Sequence, residues 1–263
     1  MKKLLSITLA AALMVGSLST VAFGAETEAE ILPGNGQKIG VSMPTKDLQR
    51  WNQDGDNMKA MLEEAGYEVD LQYASNDVQT QLSQVENMIS SGCEVLVIAA
   101  IEGSSLGEAL TMAKENEIPV FAYDRLLMDS DAVSYYATFD NYMVGTVQGQ
   151  YIIDTLDLEN AEGPFNMEIT AGDPGDNNAG YFFAGAMDLL QPYIDEGKLV
   201  VQSGQITFEE VATAQWKTET AQSRAENILS SNYTDKDVDV WLCANDSTAL
   251  GVENALAANY NGK

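Results

Sequence analysis

The chain has no histidine, two cysteines, and 13 lysines and arginines against 40 aspartates and glutamates in 263 residues. Each scarcity excludes something. Without histidine there is no imidazole to activate a serine or cysteine nucleophile, and no His-containing zinc site. Cys93 and Cys243 are far apart in sequence and both fall in predicted strands. Buried free thiols are expected there, since a disulfide would need both residues in the same lobe of the fold. The shortage of positive charge leaves a net charge of −27, which argues against binding nucleic acid or anionic lipid. Long apolar runs are lacking too. The run at residues 4–15 is too short to span a bilayer, follows Lys2 and Lys3, and leads to small residues and Ala22-Phe23-Gly24. Residues 1–24 therefore read as an export signal, with no cysteine at the cleavage point for a lipid. Its removal takes away two lysines and no acid, so −27 becomes −29. The acidic stretch 25–37, with Pro33, Gly34 and Gly36, reads as a disordered tether.

From residue 38 onward, strand and helix patterns alternate without a break. Lys38–Met43 is a predicted strand, and Met58, Met61, Leu62 and Ala65 mark the inner face of a helix that Gly66 stops. A strand at 67–73 precedes a helix striped by Val78, Leu82, Val85 and Ile89 and ended by Gly92. A central buried strand at 94–101 leads to a helix striped by Leu106, Ala109, Leu110 and Ala113. The strand at 118–125 then starts at Pro119, runs without strict alternation, and ends in Asp124 and Arg125. Such repeats imply a parallel sheet with helices on both faces.

The pattern changes at 133–141, a strand that comes after a polar loop and leads into a helix expected to turn Val144, Val147 and Tyr151 inward. Residues 38–138 are assigned to a first lobe and 139–263 to a second. The second lobe repeats the scheme, with strands at Phe165–Thr170, 199–202 and 238–243. Its helices are striped by Phe183, Ala186, Met187 and Leu190, by Ala221, Ala225, Ile228 and Leu229, and by Val252, Ala255 and Leu256 behind a Ser247 cap. A helix in a βαβ series carries the chain to a further strand. None comes before Lys263, so the second lobe reads as incomplete.

The chemistry gathers behind the strands, where open α/β sheets hold their ligands. Arg50 and Trp51 come after the first strand; Asp124 and Arg125 end the fourth; Asp140 and Asn141 come after the crossing strand. In the second lobe Asp173, Asp176, Asn177 and Asn178 stand behind one strand, Glu210 and Trp216 behind another, and Asn245 and Asp246 behind the last. Singly, Asp and Asn at such places serve as helix caps and turn residues. Together they would ring an interlobe cleft with planar amide and carboxylate groups and aromatic surface, which suits a pyranose.

Arg50-Trp51, Gln84-Val85-Glu86-Asn87-Met88-Ile89, Ala122-Tyr123-Asp124-Arg125, Phe139-Asp140-Asn141, Asp176-Asn177-Asn178 and Ala244-Asn245-Asp246 carry a closer likeness. Over residues 38–263 the chain resembles the periplasmic sugar-binding proteins of ABC importers, in the xylose and multiple-sugar branch. The resemblance implies an α/β fold of two doubly wound parallel-sheet lobes joined by a hinge, the type I binding-protein fold, here truncated at its carboxyl end. That family continues with a further strand, a Gly-Gln-Asp motif and a return to the first lobe. The resemblance also implies contacts to a monosaccharide of the xylose, glucose or galactose class from Arg50, Trp51, Asp124, Arg125, Asp140, Asn178, Glu210, Trp216 and Asn245. A membrane permease would be the partner, or a membrane sensor to which the bound sugar is presented. The protein would act as a periplasmic or cell-envelope monomer, with no cofactor, metal or nucleic acid.

Two other classes fit less well. A sugar-responsive repressor shares the fold, but carries a DNA-binding front where this chain has an export signal and strong acidity. A glycosidase would need a carboxylate pair such as Asp124 and Asp140 as acid and base; the adjacent Arg125 and amides suit binding better than proton transfer.

Overall fold

The alternation resolves into two separate parallel sheets. The computed structural model describes residues 34–260, so the expected export signal and residues 25–33 of the expected tether lie outside the described residues. The first sheet has the order β2-β1-β3-β4-β5, with β1 Lys38–Met43, β2 Glu68–Tyr73, β3 Val95–Ile98, β4 Val120–Tyr123 and β5 Val133–Ala137. The second has the order β7-β6-β8, with β6 Phe165–Thr170, β7 Leu199–Val201 and β8 Val240–Cys243. Every pairing is parallel.

In the first sheet, α1 (Gln49–Glu64), α2 (Val78–Ser90) and α3 (Gly107–Glu115) make the crossovers. Asp77 caps α2 through the Thr80 N–H, and Gly66 and Gly92 come after α1 and α2 in the left-handed conformation that a side chain resists. Val85, Met88, Leu96, Ile98, Leu106, Leu110 and Val120 form one core. Ile39, Val41, Met43, Trp51 and Val69 form another. The strand expected at 94–101 is shorter, and Cys93 lies before it, buried and free; Cys243 is also a free thiol. On α1, Met58 and Leu62 pack inward as expected, but Met61 is 59% exposed, because Trp51 and Gly55 form the buried face instead.

β5 pairs with β4 and so belongs to the first sheet. The chain then enters α4 (Asn141–Thr155), which packs against α5 (Asn177–Asp195) of the second. Here the expected face is wrong. Val147 is 61% and Tyr151 71% exposed, while Gly145, Gly149, Ile152 and Ile153 are buried. The helices cross at a distance only glycine permits: a Cβ on Gly145 would strike the Phe182 carbonyl oxygen, and one on Gly185 that of Tyr142. α6 (Phe208–Val211), α7 (Thr218–Asn232) and α8 (Asp246–Asn259) are the remaining described α-helices of the second lobe. Asn245, not Ser247, caps α8. In β6 the buried Glu168 is fully engaged by the Ser203 N–H and hydroxyl and the Tyr233 hydroxyl, a structural carboxylate away from the cleft. No described helix is long and apolar enough to cross a membrane.

Candidate functional site

The carboxyl end of β4 sets the site. Asp124 takes a left-handed backbone conformation (φ 62°), which Asp tolerates better than most residues. Its N–H bonds the Ala137 carbonyl, so β5 fixes it in place. Its carbonyl oxygen accepts from the Thr138 hydroxyl and the Asn178 Nδ2, each at 2.9 Å. Its carboxylate takes Arg50 Nη2 at 2.5 Å, and Arg50 Nε bonds Asp54 Oδ2 at 3.2 Å. Burial works against the Arg50 charge, but Asp124 and Asp54 outweigh it and hold its pKa above the usual value.

The Trp51 ring meets two guanidiniums, that of Arg50 4.6 Å and that of Arg125 5.1 Å from its centre. Such cation–π contacts order the ring and both arginines together. Arg125 is buried. It donates to the Ala100 carbonyl at 2.9 Å, and its Nε stands 3.0 Å from Asp176 Oδ2 as an ionic contact without hydrogen-bond direction. Burial raises the pKa of Asp176, with Arg125 opposing the shift. The same Asp176 oxygen accepts from Trp216 Nε1 at 3.1 Å.

These groups meet across the two lobes. Leu48, Arg50, Trp51, Asp124 and Arg125 from the first lobe face Asp176, Asn178, Phe182, Trp216, Asn245 and Ser247 from the second, around about 430 Å³ of partly open space. Asn178 does more than line it. Its Nδ2 bonds the Asp124 carbonyl while its Oδ1 accepts from Asn141 Nδ2 at 2.9 Å, so one amide joins the lobes beside the crossing. Asn245 lines the cleft and commits its Oδ1 to capping α8 at the Thr248 N–H.

Seven of the nine expected residues therefore line one cleft; two do not. Asp140 is exposed and caps α4 through the Met143 N–H. Glu210 is exposed on another face, where it closes a capping box with Thr207, whose N–H lowers its pKa. In both cases the local cap outcompetes the cleft for the carboxylate. Leu48, Phe182 and Ser247 join the lining without a distinguishing signal in the sequence. Asp176 was visible only through the Asp-Asn-Asn run, which shows a cap but not that its second oxygen turns to Arg125 and Trp216.

Residues 39–263 match the model of the periplasmic binding protein domain. The chain belongs to this family. The binding protein is 47% identical over 256 residues to the multiple sugar-binding periplasmic receptor ChvE of Rhizobium radiobacter, an alignment covering 97% of this chain and 70% of that one. It is 48% identical over 218 residues to the multiple sugar-binding periplasmic protein SbpA of Azospirillum brasilense, covering 83% and 61%. Among solved structures, an ABC transporter solute-binding protein from Clostridium phytofermentans with bound β-D-glucose superposes with a TM-score of 0.84 at 67% identity, over 86% of this chain and 70% of that one. The binding protein thus spans roughly two thirds of the length of these relatives.

Proposed function

We propose that the protein is exported by its amino-terminal signal and captures an aldopyranose in the interlobe cleft without turning it over. It then delivers the sugar to the permease of an ABC importer. The observation that carries this reading is the convergence of Arg50, Asp124, Arg125 and Asp176 between Trp51 and Trp216 in one cleft. Charged forks fix the hydroxyls of a polyol, and an aromatic edge accommodates its C–H surface. The glucose-bound relative at 67% identity supports the ligand class. Calorimetry of the whole protein with xylose, glucose and galactose should give saturable heat with at least one of them. Heat only with an amino acid or a nucleoside would overturn the reading.

A second reading has one observation behind it, the receptor role in the name of the relative from Rhizobium radiobacter. In that case the closed, loaded protein docks on a membrane sensor. Deletion of the protein would then abolish a sugar-induced response while sparing sugar uptake.

A further inference from the structure

The wall of the cleft opposite Asp124 contains a turn that the functional reading leaves unexplained. Residues 213–217 place two successive non-glycine residues, Gln215 (φ 57°) and Trp216 (φ 56°), in the left-handed region. Such conformations are sparsely populated and persist only where surrounding contacts impose them. Here the contacts are specific. The Thr213 N–H bonds the Gly172 carbonyl at 2.9 Å, and the Trp216 N–H bonds the Thr213 carbonyl at 3.0 Å. The Gln215 N–H bonds Asp173 Oδ2, while Asp173 Oδ1 takes the Gly175 N–H. Gly172 leaves the room: a Cβ there would fall on the six-membered ring of Trp216. The turn also leaves its own lobe. Gln215 Nε2 donates to the Asn76 carbonyl at 3.3 Å, and Asn76 lies just beyond β2 in the first sheet.

We propose that this turn is a latch that couples the placement of Trp216 in the cleft to closure of the two lobes. Gln215 is the cross-cleft bolt, and Gly172 and Asp173 are positioning residues. The inference rests on the sugar-binding reading and adds residues to that site. One backbone conformation turns the indole into the cleft and the Gln215 amide outward to the opposite lobe, so neither can move without the other. A ligand packed against Trp216 therefore favours the closed state through Gln215.

The test uses the whole protein, three single variants and one double variant. Gln215→Glu keeps size but cannot donate to the Asn76 carbonyl; the loss of one such bond should speed sugar release about three- to tenfold in stopped-flow fluorescence, with the melting temperature unchanged. Gly172→Ala should weaken sugar binding by about tenfold or more through overpacking of the ring. It should also abolish the fluorescence change that Trp216→Phe identifies as that of Trp216. Combined with Trp216→Phe, it should weaken binding no further than Trp216→Phe alone, whereas a merely structural defect would add to it. Small-angle scattering without sugar gives an independent readout, with Gln215→Glu expected to show the larger radius of gyration. If no aldopyranose bound the unaltered protein, the functional reading would fail while scattering still decided the latch. Unchanged scattering and unchanged release in Gln215→Glu would overturn the latch, even if Gly172→Ala failed to fold.

Discussion

Asp124 serves two different partners with two different groups, and substitutions separate them. Its carbonyl oxygen holds Asn178 and Thr138 at the crossing, and its carboxylate holds Arg50 in the cleft. Asp124→Ala would confound these, because alanine resists the left-handed backbone at this position. Asp124→Asn keeps the backbone preference and removes only the charge. It should weaken sugar binding by roughly 1.5–3 kcal/mol, the range for hydrogen bonds to a charged group, with little change in melting temperature; titration calorimetry and a thermal melt check the two. Asp176 supplies a pH prediction. Burial, its largest influence, raises its folded pKa above the unfolded value, which is about 3.9. Between those two values the folded chain binds the extra proton, so this group stabilises the fold at low pH and loses that contribution as pH rises through the folded pKa. The melting temperature of the parent minus that of Asp176→Asn should therefore fall as pH rises through the interval. A difference that grew instead would show that Arg125, not burial, controls the carboxyl.

At the scale of elements, α4 and α5 show how glycine can replace apolar bulk as the means of packing. Alanine at Gly145 gains up to about 1 kcal/mol of helix propensity. Its Cβ, however, would meet the backbone of α5 at the Phe182 carbonyl, which no side-chain rotation relieves. Overpacking of this kind costs about 1–3 kcal/mol, so Gly145→Ala should lower the stability measured by urea unfolding despite the better propensity. Reading α4 for large apolar residues gave Val147 and Tyr151, the exposed side, because periodicity weighs hydrophobicity and does not register a close crossing. Where bulk does the packing, as with Ala221, Ala225, Ile228 and Leu229 of α7, the stripe was legible and all four are buried. The site divides along the same line. Asp124 and Arg125 were legible because they end a buried strand. The cap roles of Asp140 and Glu210 could not be told from cleft roles, since one residue type serves both. Gly172 and Gln215 carried no signal at all, because their importance lies in a contact with a distant turn and with the other lobe.

Across the molecule, the two sheets differ in how their margins are covered. β5 ends the first sheet and β8 the second. Along them runs a band of exposed apolar side chains that includes Tyr135, Phe139, Met143, Val147 and Tyr151. Beside β8 lies an open groove of about 500 Å³ lined by Val147, Tyr151, Ile152, Leu156, Trp241 and Leu242. Strand edges unpaired among the described residues and next to apolar surface invite association with a further strand, and the net charge of −29 left once residues 1–24 are removed opposes it only until salt screens the repulsion. Residues 25–263 produced alone should therefore self-associate, increasingly so at high salt. Sedimentation velocity at low and high salt tests this, and Val147→Lys with Tyr151→Lys should shift the distribution back toward monomer by placing charge in the band. A chain that stays monomeric at both salt concentrations would show that these edges are tolerated.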